Sequence, residues 1–388
     1  MNNNNENKIL NVPHLRFPEF TGEWEKTALG EVTTDINYGL NLPSKEFDGK
    51  TVYIRITDID ESSRSLISSG FTSPDGELKD NLKVAKNDIL IARTGASTGK
   101  SFIFDNYNFE TYFAGFLIRF RPKTEYDPHF LYYNLNTNSY EMFVRIMSAR
   151  SGQPGINSEE YKSYSFSIPS LNEQNKISSF MKALDKRIEI QRKLIDLFKS
   201  LIKSLRDLIF NNTNWECVGI SKLIEKGKVT LNRGNIIPKK DKSIINKFPV
   251  YSSSVQNDGL MGYDSKYMFD EELITWSIDG GGDFFYRSKH KYSITNVSGY
   301  MRLDNNMFVY GFISEMLKYQ HSKKKFDYQS KAHPSVIKNL YELPLVSLNY
   351  QLHAWENLNI INRLLFMHEK IKENFISLKI YMLSTLFM

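Results

Sequence analysis

The sequence predicts an α+β protein built as a tandem duplication, two β-rich domains each followed by a long α-helix. Three observations carry this. Residues 172–210 contain no Pro or Gly and repeat apolar side chains at 3,4 spacing. Met181, Ile188, Ile195, Ile202 and Ile209 fill one position and Ile177, Leu184, Phe198 and Leu205 the other, with only Gln191 breaking the seam, a coiled-coil pattern. Ser170-Leu171-Asn172-Glu173-Gln174 recurs as Ser347-Leu348-Asn349-Tyr350-Gln351 ahead of a second amphipathic stretch. The opening Trp24-Glu25 recurs as Trp215-Glu216. Internal similarity of this kind decides architecture before any single motif does.

Taken in order, residues 1–21 are a polar lead, MNNNNENK, running into the Pro-punctuated VPHLRFPEF. Residues 22–168 form the first β-rich domain. TVYIRIT, NDILIAR, KSFIFD and YFAGFLIRF read as short strands between turn residues, and a helical patch, HFLYYNLNTNSYEMFVRIM, follows Pro128. Residues 169–212 hold the first long helix, roughly 58 Å at ~1.5 Å per residue. Residues 213–345 repeat the domain, with Asp88-Ile89-Leu90-Ile91 answered by Glu272-Leu273-Ile274-Thr275 and Ala114-Gly115-Phe116 by Ser298-Gly299-Tyr300. The separation between matched segments shrinks along the chain, as expected if the second copy lost loop residues twice. Residues 346–388 hold the second long helix.

Aligning the two helices places Leu194, Phe198, Leu201, Leu205 and Leu208 on Ile371, Phe375, Leu378, Met382 and Thr385. The shared stripe, with Leu194, Phe198, Leu201, Leu205, Ile371, Phe375, Leu378 and Met382, is therefore expected to form the helix-to-helix contact. Ile195 and Ile202 fall instead on Lys372 and Lys379, so the seam Ile188, Ile195, Ile202 and Ile209 is expected to face something else.

With 388 residues, 41% hydrophobic and 24% charged, the composition is that of an ordinary soluble protein of two or three domains. The one cysteine, Cys217, excludes an intrachain disulfide framework and suits a reducing, cytoplasmic setting. The N-terminus has no apolar signal core, and no run of ~18 apolar residues is present, so no membrane association is expected. A net charge of +6 leans weakly toward a polyanionic partner.

No catalytic constellation is found. Gly95-Ala96-Ser97-Thr98-Gly99-Lys100-Ser101 is one residue short of a phosphate-binding P-loop and runs into a strand-like SFIFD, not a helix. Pro74-Asp75 with Glu77-Leu78-Lys79 lies too close in sequence for its carboxylates to share a metal across neighbouring strands, and Pro-Asp-Gly reads as a turn. Gly280-Gly281-Gly282 lacks dinucleotide spacing, no Asn/Asp-Pro-Pro-aromatic tetrapeptide of amino-methyltransferases is present, and no histidine or cysteine shows metal spacing.

Binding chemistry remains. Arg93, Thr94, Gly95, Ser97, Gly99 and Lys100 form a tight basic loop between two strands, suited to lie against a nucleic-acid backbone. Arg150, Ser151 and Gln153 lie in a Gly/Pro-stiffened loop, SGQPGIN, before the first long helix; Gln329 and Lys331 lie in its counterpart. Arg and Gln can each make two hydrogen bonds to a base edge. Lys323, Lys324 and Lys325 can neutralise phosphates.

The duplicated layout, RxGxxxGK in a loop, SGQPGIN and SLNEQNKI before the helix, and VPHLRFPEF-x(3)-W at the start together resemble the specificity (S) subunits of type I restriction-modification systems. The resemblance covers essentially the whole chain. The second copy departs from it: Tyr350 replaces the acidic residue, and neither the RTG loop nor GQPGIN has a close match. The resemblance implies a non-catalytic subunit. Each β-rich unit would be a target-recognition domain reading half of a split double-stranded DNA sequence, and the long helices would pack as an antiparallel coiled coil with pseudo-twofold symmetry. It also implies methyltransferase (M) subunits carrying S-adenosylmethionine docked on the helices, and restriction (R) subunits using ATP and Mg. Ile188, Ile195, Ile202 and Ile209 would then be the subunit interface. Two other classes stand beside this one: a self-contained nuclease or methyltransferase, which would need a catalytic motif, and a stand-alone DNA-binding or scaffolding protein with no enzyme partner.

Overall fold

The computed structural model describes residues 11–388 except 61–63, 65, 68–69, 106–107, 150–154, 212–213, 238–246, 255, 280–281 and 325–331. The chain divides into two compact units, Met1–Gln191 with Ile371–Met388, and Arg192–Lys370. Each long helix, Leu171–Phe210 and Leu348–Thr385, is thus shared between the units.

In the first unit a four-stranded antiparallel sheet runs Thr33–Tyr38, Leu117–Pro122, Ile89–Ala92, Ser101–Ile103. The apolar run at 89–92 is explained by burial on both faces. Ile89 and Ile91 enter one core with Phe120 and Phe130, while Leu90 and Ala92 enter a second with Ile54 and Phe113, following the two-residue period of a strand. YFAGFLIRF is two strands, Glu110–Phe113 and Leu117–Pro122, with a turn at 114–116. The first pairs in parallel with Thr51–Ile54 and the second joins the sheet. The helical patch is likewise two helices, Pro128–Asn134 and Asn138–Ser148, because Thr137 caps the second through its side-chain oxygen. The segment after residue 10 is anchored. Arg16 forks onto both oxygens of buried Glu173 at 2.8 Å, and Leu15 N donates to Thr385 O.

The second unit has one six-stranded sheet, ordered Val229–Arg233, Ser298–Leu303, Phe269–Ser277, Phe284–Ile294, Phe248–Tyr251, Leu260–Asp264. Helix Tyr310–Ser322 packs on it around Ile274, Trp276 and Met301.

The repeat is visible in hydrogen bonds. Lys26, Thr27 and Ala28 pair with Ser167, Phe166 and Ser165, and Cys217, Val218 and Gly219 pair with Pro344, Leu343 and Glu342 in the same order. The motif glutamines explain SLN-x-Q. Gln174 Oε1 accepts from Asp127 N (3.0 Å) and its Nε2 donates to Pro169 O (2.8 Å). Gln351 accepts from Val309 N (2.9 Å) and donates to Val346 O (2.9 Å) and Met307 O (2.8 Å). Both glutamines are buried and clamp a domain strap to the start of a long helix. One residue earlier the copies differ. Glu173 lies 3.4 Å from Trp24 Nε1, whereas Tyr350 meets Trp215 edge-on at 5.6 Å.

Pairing also corrects two expectations. Ile89 faces Phe120 and Ile274 faces Met301 in equivalent ladders, so Ile89 corresponds to Ile274, not to Leu273. Tyr38 faces Ile118 and Arg233 faces Gly299, so Phe116 corresponds to Val297, not Tyr300. A one-residue slip would exchange the faces of a strand, which buried faces forbid.

The isoleucine seam departs from expectation. Ile188, Ile195 and Ile202 are buried by the chain itself and Ile209 packs against the second core, so this seam offers no open face. Leu201 is 42% and Leu208 78% exposed, and Leu194 is half-buried. Phe198 does meet the second helix, stacking on His368 at 5.2 Å beside a Lys199–Glu369 ion pair, and Leu205 packs on the second core. Phe375, Leu378 and Met382 pack on the first core, and Ile371 is half-buried. Lys379, which aligns with Ile202 in the repeat, pairs with Asp185, which also accepts from Tyr133 OH at 2.7 Å. Within each unit the helices run antiparallel. Ile177 and Met181 share a core with Met382 and Phe387 in the first, and Phe198 meets His368 while Phe210 shares a core with Leu358 in the second.

Candidate nucleic-acid interface

The basic loop of the first unit is a hairpin, Ile89–Ala92 to Ser101–Ile103, closed by a single 3-10 turn at Gly95–Ser97. No helix follows it, so the loop lacks the phosphate-facing helix end of a P-loop. Gly99 is required twice over: its φ is +86°, and a Cβ there would lie 2.6 Å from Val144 Cγ1. Buried Tyr140 donates to Gly99 O (3.0 Å) and buried Tyr161 to Ala92 O (2.8 Å), fixing both ends of the hairpin tip. Burial pushes both phenols well above their ordinary range, so they stay neutral donors.

Arg93 leaves the end of this strand held by its backbone. Its N–H donates to Phe116 O (3.0 Å) and its carbonyl accepts from Ile156 N (2.9 Å), while Thr94 bridges Gly155. The hairpin is therefore laced to Gly155 and Ile156. The Arg93 guanidinium lies over the Tyr38 ring at 4.8 Å, and its Nε is buried with no hydrogen-bond partner among the described residues. Tyr38 is fixed in turn by Ser158, whose N–H donates to the phenol oxygen (3.0 Å) and whose Oγ accepts from it (3.1 Å). Ser158 is the first residue of a short helix capped by Asn157 and Glu160. Phe116, beside Arg93, is 64% exposed. An arginine stacked on an aromatic ring and pinned at its backbone is pre-organised to present a fork of N–H donors.

Of the other sequence-selected residues, Thr94, Gly95 and Ser97 lie half-buried in the hairpin tip. Lys100 is half-buried as well and lines a small cleft with Asp60, Arg64 and Ser97. Arg150, Ser151, Gln153, Lys325, Gln329 and Lys331 lie outside the described residues. Lys323 and Lys324 are exposed at the end of helix Tyr310–Ser322, with Lys323 Nζ 4.0 Å over the Tyr319 ring and Lys324 Nζ 5.7 Å from the Tyr341 ring.

The second unit reproduces the scaffold of this site. Ile278 N donates to Val297 O (3.0 Å) and Ile278 O accepts from Ala332 N (2.9 Å), so Ile278 stands where Arg93 does. Gly39 and Gly234 occupy equivalent bends, where a Cβ would lie 2.3 Å from Phe113 O and from Ile294 O respectively. The side chains differ: Arg233 holds the place of Tyr38 and Val297 that of Phe116. Sequence reasoning missed Tyr38, Phe116, Ser158 and Arg233, which come together only through strand pairing. Among the described residues no three His, Cys, Asp or Glu side chains are grouped to hold a metal, and no helix is long and apolar enough to cross a membrane.

Known proteins bear on this arrangement. The candidate type I specificity subunit S.MpnORF285P of Mycoplasma pneumoniae is 33% identical over 147 residues, 37% of this chain and 46% of its own length. The MpnII type I restriction enzyme specificity subunit of the same organism is 36% identical over 76 residues, 19% of this chain and 23% of its own length. The chain thus matches less than half the length of these relatives. The crystal structure of a type I restriction-modification S subunit from M. genitalium shares the fold, with a TM-score of 0.72 at 17% identity, covering 97% of this chain and 99% of that one. A chain solved in work on assembly and conformational transition of the type I system gives a TM-score of 0.51 at 15% identity, covering 93% and 96%. The type I restriction modification DNA specificity domain matches residues 21–199 and 212–374, and the chain belongs to that family.

Proposed function

We propose that this chain is the DNA-recognition subunit of a type I restriction-modification complex, binding a bipartite, asymmetric target in double-stranded DNA. The observation that carries the reading is one scaffold built twice with unlike side chains at equivalent places: Arg93 against Ile278, Tyr38 against Arg233, Phe116 against Val297. A duplicated reader with different tips reads two different half-sites, as a pseudo-dimer reads a pseudo-palindrome. Arg93, Thr94, Gly95, Ser97, Gly99 and Lys100, with Arg150, Ser151 and Gln153, serve the first half. Lys323, Lys324, Lys325, Gln329 and Lys331 serve the second. The chain does no chemistry. Adenine methylation with S-adenosylmethionine, and cleavage with ATP and Mg, fall to methyltransferase and restriction subunits in the cytoplasm. Because the isoleucine seam is closed, the docking surface for the methyltransferase is the exposed stripe that includes Leu197, Leu201 and Leu208.

The test is expression with and without a co-encoded methyltransferase subunit. Co-purification of the two, with sequence-specific adenine methylation only when both are present, is expected. A chain that binds DNA specifically yet retains no methyltransferase subunit would leave a stand-alone DNA-binding protein.

A further inference from the structure

The first unit shows how an arginine is presented at the tip of its sheet, and the second has no arginine at the equivalent of Arg93. Ile278 stands there, with the same two backbone hydrogen bonds. An isoleucine can touch a thymine methyl but makes no hydrogen bond to a base edge. The guanidinium has not disappeared from the site, however; it enters from the neighbouring strand. Arg233 ends strand Val229–Arg233 opposite Gly299, as Tyr38 ends Thr33–Tyr38 opposite Ile118. Both residues precede a glycine whose backbone presses on the next strand too closely for a Cβ. Both next residues, Leu40 and Asn235, bridge Ala114 and Thr295 in parallel. In the first unit the side chain at this place touches Arg93; in the second it is the arginine itself.

We propose that Arg233 is the residue with which the second domain reads a guanine edge in its half of the target, in place of Arg93. Its geometry suits the role. Arg233 is exposed, and its Nε and Nη2 both donate to Asn296 O, at 3.1 and 2.8 Å. Anchoring that edge of the planar guanidinium to one carbonyl sets its plane and leaves the Nη1 end directed away from the anchor. Nη1 makes no hydrogen bond among the described residues. Asn296 lies in the turn that corresponds to 114–116, the turn whose Phe116 O holds Arg93 N. The same turn thus steadies the arginine in both units, through the backbone N–H in one and through the guanidinium in the other. Ile236, three residues on, is 81% exposed, an apolar neighbour suited to a base or a methyl group. A fork of two N–H donors matches O6 and N7 of guanine in the major groove, and a lysine at the same place supplies charge without the fork.

The inference rests on the DNA-recognition reading, and the experiment separates the two. Arg233→Ala, Arg233→Lys and Arg93→Ala are assembled with the methyltransferase subunit, and methylated motifs are sequenced alongside affinity for the cognate duplex. Thermal melting checks that each folds. Arg233→Ala is expected to relax one position of the second half-site, leave the first intact, and weaken cognate binding roughly 5- to 100-fold. Arg233→Lys is expected to relax the same position while keeping the salt dependence of binding, because the charge remains. Weaker binding with an unchanged motif would make Arg233 a phosphate contact and overturn the proposal. A motif changed by Arg93→Ala but not by Arg233→Ala would overturn it too, leaving the DNA-recognition reading standing. Unchanged motif and affinity in all three would overturn the proposal and remove Arg93 from the interface as well, whereas a wild-type complex that methylates no specific motif would overturn the DNA-recognition reading itself.

Discussion

At the scale of single residues, the decisive contacts join positions far apart in sequence. The RTG stretch announced Arg93, because a basic residue beside two glycines between strands has few structural uses. Tyr38 and Ser158 could not be read the same way. Each is an unremarkable polar residue, and their meeting depends on sheet order and on the cap of a five-residue helix. Arg93→Ala should weaken DNA binding by the assembled complex by about 1–3 kcal/mol, and gel-shift affinities unchanged within error would remove Arg93 from the interface. Lys100 was legible as a basic loop residue, but its half-buried cleft beside Asp60 and Arg64 was not, and Lys100→Ala should cost less than Arg93→Ala in the same assay. The recurring glutamine was legible as a repeat before its role was. Gln351→Ala strands the Val309 N–H, the Met307 carbonyl and the Val346 carbonyl, and should destabilise the chain by about 1–3 kcal/mol. A thermal midpoint equal to wild type would show the clamp to be dispensable.

At the scale of elements, periodicity located the long helices within about three residues but assigned only part of their faces: Phe198, Phe375, Leu378 and Met382 pack inward as expected, while the isoleucine seam expected to stay open is buried. The error came from assuming that a stripe shared by both helices must be their contact. Burial follows the stronger heptad seam of the first helix, while Lys379, the position of the second helix that aligns with Ile202, carries its charge to Asp185. A single sequence gives the period of a helix; which stripe is covered depends on what lies opposite. A similar ion pair ties the first helix to the second domain. Arg206 and Lys318 both hold Glu315, at 2.5 and 2.8 Å. Burial pushes the Glu315 carboxyl up, yet Lys318 and Arg206 outweigh it, leaving its pKa below the ordinary glutamate value. A depressed folded pKa contributes stability above the unfolded value and loses it as pH falls through the folded one. Glu315→Gln should therefore lower the thermal midpoint at neutral pH, and the gap to wild type should close as pH drops through the carboxylate range. A gap that does not change with pH would mean the ion pair contributes nothing.

At the scale of the whole molecule, the duplication was legible from a handful of recurring residues, and the family resemblance from SLNEQNKI and the layout. Domain interiors were legible as repeats only out of register, by one residue at Ile89 and three at Phe116, since little but backbone geometry is shared between Arg93 and Ile278 or between Tyr38 and Arg233. In the proposed reading the helices also measure the spacer between half-sites. Four residues inserted after Gln191 and four after Lys370, where the compact units divide, lengthen both helices by ~6 Å. They turn each helix by ~400°, close to a full turn, so the buried seam is retained. The spacer should grow by about two base pairs at ~3.4 Å each, with both half-sites unchanged; an unaltered spacer with normal methylation would leave the helices a purely assembling role. The central claim, that one chain carries two independent readers, is tested most directly by exchanging residues 22–160 for those of another family member and sequencing the methylated motif made with the same methyltransferase subunit. The account predicts a new first half-site joined to the original second half-site at the original spacing. A motif altered in both halves, or in neither, would contradict it.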